Sequence, residues 1–177
     1  MPTSDAASMP PNTGVPTEGG QGLDMRASDL TVAELARHGI PTLAEVLAIA
    51  PPRAFLDVEL KEDIGTAVVP IIEAARGPGA EGVVVSAFAP GTLATIRALR
   101  PTWPCWLNTT NLGPGAVDLA CVLGCTGISS HWHAISAPRV RLAHDAGLLV
   151  AGWTVLRRST FDRLERSRSV RADKALK

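Results

Sequence analysis

The sequence predicts an α/β fold built on a parallel sheet. Three observations predict it. From about residue 54 onward, short apolar runs alternate with helical patterns. Each connection is long enough to hold a crossover helix, as a βαβ unit requires. A chain of 177 residues with 46% hydrophobic and 19% charged side chains can bury a core, so wholesale disorder is excluded. Five strands are expected. Periodicity leaves two architectures open: a five-stranded doubly wound sheet, which fits the length, or part of a (β/α)8 barrel, which usually takes about 250 residues.

Residues 1–22 carry four Pro and four Gly with no hydrophobic period, and they read as a disordered or irregular segment. Thr31 looks like the N-cap of a helix over 32–37, with Glu34 at the capping-box position and Gly39 just past its end. Thr42 caps a second helix, 43–49, which Pro51 and Pro52 stop. Strands are expected at 54–60, 82–86, 104–108, 126–129 and 148–155. Helices are expected between and after them at 67–76, 90–99, 115–123, 138–146 and 160–166. Pro90 suits the first helical position, and Gly147 suits a helix end.

Lys+Arg and Asp+Glu number 17 each, so no basic footprint for nucleic acid is present. No apolar run is long enough to span a membrane. No secretory signal is visible, and three cysteines make no complete disulfide framework. A cytoplasmic location is therefore expected. Residues 157–177 hold eight basic and three acidic side chains. That end reads as a solvated helix and a basic tail, not as a surface for an anionic partner.

The chemistry centres on Asp57-Val58-Glu59-Leu60-Lys61. Strand alternation puts Asp57, Glu59 and Lys61 on one face and Leu56, Val58 and Leu60 on the other. The polar set lies at the C-terminal end of its strand, where active sites of parallel α/β folds sit. A carboxylate there suits a hard cation such as Ca²⁺ or Mg²⁺, and a lysine suits a phosphate oxygen. A strand end reaching solvent would carry the same triplet as surface charges. Trp153, near the end of the last strand, suits either a pocket wall or core packing. Ser86 and Phe88 close the second strand; Ser86 lacks a Gly-x-Ser-x-Gly setting and is not read as a nucleophile. Cys121, Cys125, His131 and His133 are spaced C-x₃-C-x₅-H-x-H, which matches no common zinc pattern, so zinc is not expected. His131 remains a pocket-lining candidate. Neither a P-loop nor a Gly-x-Gly-x-x-Gly fingerprint occurs.

The order of these segments resembles the glycerophosphodiester phosphodiesterase family. Gly39-Ile40-Pro41-Thr42-Leu43-Ala44-Glu45-Val46-Leu47 is similar to that family's "IPTLEEVL" helix. Leu56 to Lys61 resembles its "L-x-x-E-x-K" strand, and Val84 to Pro90 its "V-x-S-F-x-P" strand end. Ala146-Gly147-Leu148 through Trp153-Thr154-Val155 resembles its "AGL-x-V-x-x-WTV" strand, and Gly19 to Leu35 the segment leading into the series. The resemblance covers roughly residues 17–166 in collinear order. It implies an incomplete TIM (β/α)8 barrel over 23–167, followed by a basic tail over 168–177. It also implies a Ca²⁺- or Mg²⁺-dependent hydrolase that releases glycerol 3-phosphate in lipid metabolism. Glu59 then matches a metal ligand and Lys61 a substrate contact. Ser86, Phe88 and Trp153 match residues at strand ends around the substrate.

The family's His-Arg-Gly, Glu-x-Asp and His-Asp motifs, which carry the general acid and base and further metal ligands, do not occur here. The sequence holds the counterparts of strands three to seven of eight. The expectation is a truncated or degenerate member with absent or very weak activity, since each missing acid or base costs roughly 10²–10⁴-fold. Five strands would leave two open edges. The alternatives are a non-catalytic subunit that completes its sheet against another chain, and a small α/β binding domain.

Overall fold

The computed structural model describes residues 29–168. The segment 1–22 and the basic tail from residue 169 lie outside the described residues. The chain divides into two compact units between Thr42 and Leu43. The first contains α1 (Val32–Arg37), with the expected capping box at its start. The Thr31 hydroxyl accepts from the Glu34 backbone N–H at 3.3 Å, and the Glu34 carboxylate accepts from the Thr31 N–H at 2.8 Å. The Thr31 hydroxyl also donates to the Glu34 carboxylate at 2.7 Å, and this bond, with that from the Thr31 N–H, holds the Glu34 carboxyl below its ordinary pKa.

The second unit runs α2 (Leu43–Ile49), β1 (Leu56–Glu59), α3 (Gly65–Arg76), β2 (Val83–Ala87), α4 (Pro90–Leu99), β3 (Cys105–Thr109) and α5 (Pro114–Val122). It continues with β4 (Gly127–His131), a short 3-10 turn (Trp132–Ala134), α6 (Ala137–Asp145), β5 (Leu149–Trp153) and α7 (Arg158–Arg168). All strands are parallel and lie in the order β1-β2-β3-β4-β5. A doubly wound sheet reverses its strand order at a switch point. Here the order never reverses, so right-handed crossovers carry every helix to one side of the sheet. That is barrel winding: five parallel strands of an incomplete TIM barrel.

The register assigns each side chain to a face. Leu56 pairs with Val83, Val58 with Val85, Val85 with Cys105, Leu107 with Ile128 and Ile128 with Val150. These residues belong to the core cluster or pack against it, beside Val68, Val69 and Ile72 of α3, Leu93 and Ile96 of α4, and Val140 and Ala143 of α6. The helical face is therefore the apolar one. Consecutive helices α2 on α3, α3 on α4, α5 on α6 and α6 on α7 pack as well.

Polar ties close the outer layer. Arg76 is buried, and its guanidinium donates to the carbonyls of Ala50, Pro51 and Pro52 at 3.0–3.2 Å. The Pro-Pro turn thus finds donors for its carbonyls. Arg100 forks onto Glu73 at 2.5 and 2.7 Å, joining α4 to α3 and lowering the Glu73 pKa. Trp103 is fully buried, with its indole N–H on the Pro78 carbonyl at 2.8 Å.

Element ends differ by a few residues from expectation. β5 stops at Trp153, so Val155 is outside the strand, and the 3-10 turn after β4 carries no sequence signal. β1 ends at Glu59, yet the Leu60 N–H still donates to the Ser86 carbonyl at 2.7 Å. Leu93→Ala, at a position with no exposure, is expected to cost about 2–5 kcal/mol in urea unfolding. Leu142→Ala, on an exposed face, is expected to stay within about 0.5 kcal/mol.

Candidate functional site

The other face of the sheet is built differently. Alternation from the core positions leaves Asp57 and Glu59 of β1, Val84 and Ser86 of β2, Trp106 and Asn108 of β3, Ser129 and His131 of β4, and Ala151 and Trp153 of β5. In a closed barrel this is the interior. Its lower layer is aromatic: Phe55 and Trp106 have ring centroids 5.8 Å apart. Trp106 lies over Gly127, where an added Cβ would come within 2.7 Å of the indole nitrogen.

The middle layer is polar. Asn108 Nδ2 donates to Ser86 Oγ at 3.1 Å, and both side chains are buried. Ser86 also hydrogen-bonds the Asp57 carboxyl. The chain Asp57–Ser86–Asn108 therefore crosses three neighbouring strands. It stops at Asn108 Oδ1, a buried acceptor with no partner among the described residues. Burial pushes the Asp57 carboxyl above its ordinary pKa. The Ser86 bond opposes that shift, and the nearby Glu59 charge adds to it.

The upper layer is the rim at the C-terminal ends of the strands. Lys61 Nζ meets Glu59 Oε1 at 2.6 Å and lies 5.8 Å from the Phe88 ring centre. Phe88 meets Trp153 edge-on at 5.7 Å, and Trp153 meets His131 edge-on at 5.1 Å. His131 Nδ1 accepts from the His133 backbone N–H at 3.3 Å. In its neutral form the ring then carries its proton on Nε2. Arg163 of α7 lies 4.9 Å from the Trp132 ring centre and donates to the Trp132 carbonyl at 3.4 Å.

Four of the five residues singled out in sequence thus share the rim: Glu59, Lys61, Phe88 and Trp153. Ser86 does not reach it; the serine is wholly buried one layer down. Asp57 of the polar triplet and His131, the pocket-lining candidate, join the arrangement, and Asn108 joins it without having been singled out in sequence. Alternation with Glu59 was a signal for Asp57. Asn108 carried none, because its face depends on register with neighbouring strands.

The donor set on this face does not fit a Ca²⁺ or Mg²⁺ ion. Glu59 is paired with Lys61, and burial raises the Asp57 pKa, disfavouring its charged form. Calcium takes six to eight oxygens. Among the described residues no group of three or more His, Cys, Asp or Glu is placed to hold a metal. The Cys/His set is divided by the sheet itself: Cys125 precedes β4 and His131 ends it, on the order of 20 Å apart at strand rise. Cys105 and Cys125 are buried thiols pushed up to about 11 by burial, while Cys121 is exposed.

Asp57 supplies a pH test. Its folded pKa is raised, so the folded state holds this proton more tightly than the unfolded chain does. Its contribution to stability is present below the unfolded value, about 4, and is lost as pH rises through the folded value. Asp57→Asn is expected to be more stable than the parent at pH 7. The gap should close towards pH 3 in denaturation series run at both values. A gap that widens in acid would contradict the assignment.

No protein-family model matches the sequence, and no curated protein does. Solved structures do. A Galdieria sulphuraria protein assigned as a glycerophosphodiester phosphodiesterase superposes with a TM-score of 0.70 at 23% identity, over 81% of this chain and 66% of its own. An Oleispira antarctica phosphodiesterase, solved with its product sn-glycerol-3-phosphate, gives 0.65 at 22% identity over 72% of this chain and 54% of its own. A Silicibacter pomeroyi protein with a glycerophosphoryl diester phosphodiesterase assignment gives 0.62 at 21% identity, over 77% and 56%. The chain spans about half to two thirds of the length of these structures. The chain shares the fold of these barrels, of which it forms an incomplete (β/α)8 part.

Proposed function

We propose that the rim of Glu59, Lys61, Phe88 and Trp153 takes a phosphate-bearing small molecule of the glycerophosphodiester type. On the same reading the chain by itself hydrolyses that molecule weakly or not at all. The observation that carries the reading is the convergence of one ammonium and two aromatic rings at the C-terminal ends of parallel strands, where barrel enzymes bind substrate. The product sn-glycerol-3-phosphate in the Oleispira antarctica structure supports this ligand class. Lys61 is the phosphate contact, held in place by Glu59. Phe88 and Trp153 wall the apolar side. Ser86 acts from below by fixing Asp57 and Asn108.

Weak activity follows from the groups available. Phosphodiester hydrolysis needs a base for water and an acid for the leaving alkoxide. At this rim His131 meets the ring of His133 edge-on at 4.9 Å, and the His-Arg-Gly and His-Asp motifs that supply the resembling family's acid and base do not occur in the sequence. Glu59 is the carboxylate available to Ca²⁺ or Mg²⁺, so cation binding is proposed to be weak or absent. The substrate class ties the chain to the turnover of lipid-derived phosphodiesters, in the cytoplasm on this reading.

Glycerophosphocholine with Ca²⁺ or Mg²⁺ is expected to release no glycerol 3-phosphate above the buffer rate. Turnover that Glu59→Gln abolishes would overturn the inactive reading. Without divalent cations, sn-glycerol 3-phosphate is expected to bind with a Kd near the millimolar range, as followed by NMR titration. Lys61→Ala should weaken binding about five-fold or more. Glu59→Gln, which releases the lysine from its 2.6 Å partner, should strengthen it. Binding indifferent to both substitutions would remove the phosphate site from this rim.

A further inference from the structure

The short 3-10 turn after β4, Trp132–Ala134, is capped by a side chain that can change its charge. His131, the last residue of β4, takes the N-cap position, and its ring Nδ1 accepts from the His133 backbone N–H at 3.3 Å. An N-cap is ordinarily Ser, Thr, Asp or Asn, whose side-chain oxygen accepts throughout the neutral range. A histidine accepts only while it is neutral. An imidazolium carries a proton on both nitrogens, so turning the ring over does not recover the bond. Histidine is also the side chain whose charge ordinarily changes between about pH 5 and about pH 8.

The two sides of the turn are fastened differently. The C-terminal side is fixed by burial: Ala134 and Ile135 are each 8% exposed, and Arg139 of α6 donates to the Ala134 carbonyl at 3.1 Å. The N-terminal side is shallower. His133 is exposed, and Trp132 is half-buried, its ring stacked on His131 with centroids 5.9 Å apart. The Trp132 ring lies 4.9 Å from the guanidinium of Arg163 of α7, and its carbonyl accepts from Arg163 at 3.4 Å and from the Ile135 N–H at 3.3 Å. The cap therefore supports the residue through which α7 is tied to the rim.

The surroundings of His131 add to the effect of a proton there. The His133 ring meets it edge-on at 4.9 Å, and Trp153 of β5 meets it at 5.1 Å. Arg163 reaches the turn from α7 and Arg139 from α6, while Lys61 and Glu59 stand beyond Phe88 as a pair that compensates itself. Two guanidiniums are thus already drawn onto this turn, and a further positive charge at its cap is repelled by them as well as deprived of its bond.

We propose that His131 is a proton-operated latch. Neutral, it closes the turn and holds Trp132 against Arg163. Protonated, it releases the N-terminal side of the turn, and the Trp132–Arg163 contact with it. The freed His133 N–H turns to water, and the buried Ala134–Ile135 side stays in place. The closed turn takes up the proton less readily than the open one, so closure is fullest at alkaline pH and is lost as pH falls. The latch holds whether or not the rim binds a phosphodiester.

The test is NMR on the full 177-residue chain in phosphate-free buffer. The His131 ring is followed from about pH 8 to about pH 5 beside the Overhauser contact between the Trp132 ring and the Arg163 side chain. As the ring protonates, that contact is expected to weaken about three-fold or more, the scale of one net hydrogen bond. His131→Asn, whose oxygen caps without titrating, should keep it constant over the range. His131→Ala should leave it weak at both ends. His133→Gln should retain the parent's dependence, which separates the two histidines. A His131 ring that does not titrate in this range overturns the proposal. So does a contact unchanged while the ring titrates, or an equal loss in His131→Asn. Loss of the whole fold with the contact, read by circular dichroism, also overturns a latch confined to the turn.

Discussion

The constraint on which the rest of the structure depends is the direction of winding. Every strand pairs with the next strand in sequence, and no crossover passes over the sheet a second time. All helices are consequently forced onto one face. That face collects Val83, Val85, Cys105, Leu107 and Ile128 and becomes the core. Among the described residues the opposite face receives no helix, so it need not be apolar, and it is there that Asp57, Ser86, Asn108, Glu59 and His131 are found. Core and candidate site are two outcomes of one topological fact.

Much of this was legible in the chain, and the reasons are local. Helix α4 (Pro90–Leu99) is marked at its start by a proline whose missing N–H costs nothing there, and α1 by a reciprocal Thr31–Glu34 cap. Both follow from a few neighbouring residues. The Glu59–Lys61 pair was visible as a two-residue spacing on a strand, and the structure brings the two together. The placement of Ser86 was not visible. A strand pattern says that Ser86 and Phe88 share a face; it does not say which sits at the rim and which below. That depends on the stagger between strands, which aligns Ser86 with Glu59 on one side and with Trp106 on the other. Asn108 escaped notice for the same reason. Its relevance comes from a hydrogen bond to a residue 22 positions away.

The electrostatics of the face also come from neighbours across strands. Asp57 and Glu59 are two residues apart in one strand, yet they behave differently. Lys61 neutralises Glu59 at the rim, while Asp57 sits deeper, with a serine hydroxyl as its hydrogen-bond partner. Two carboxyls of similar intrinsic acidity thus meet different neighbours, one an ammonium and the other a hydroxyl. The rim is thereby left with a compensated charge pair bordered by Phe88 and Trp153, a surface that suits a ligand with one polar and one apolar end.

The monotonic strand order has a consequence for how such a sheet forms. Each strand finds its partner one crossover away, so every pairing in the sheet closes a single βαβ unit. The assembly resembles a repeat array, in which each strand–helix unit is stabilised chiefly by its immediate neighbours. In an array of that kind a terminal unit sacrifices one interface and leaves the interior units intact. Units built on β2, β3 and β4 are each held on both sides by a neighbouring strand.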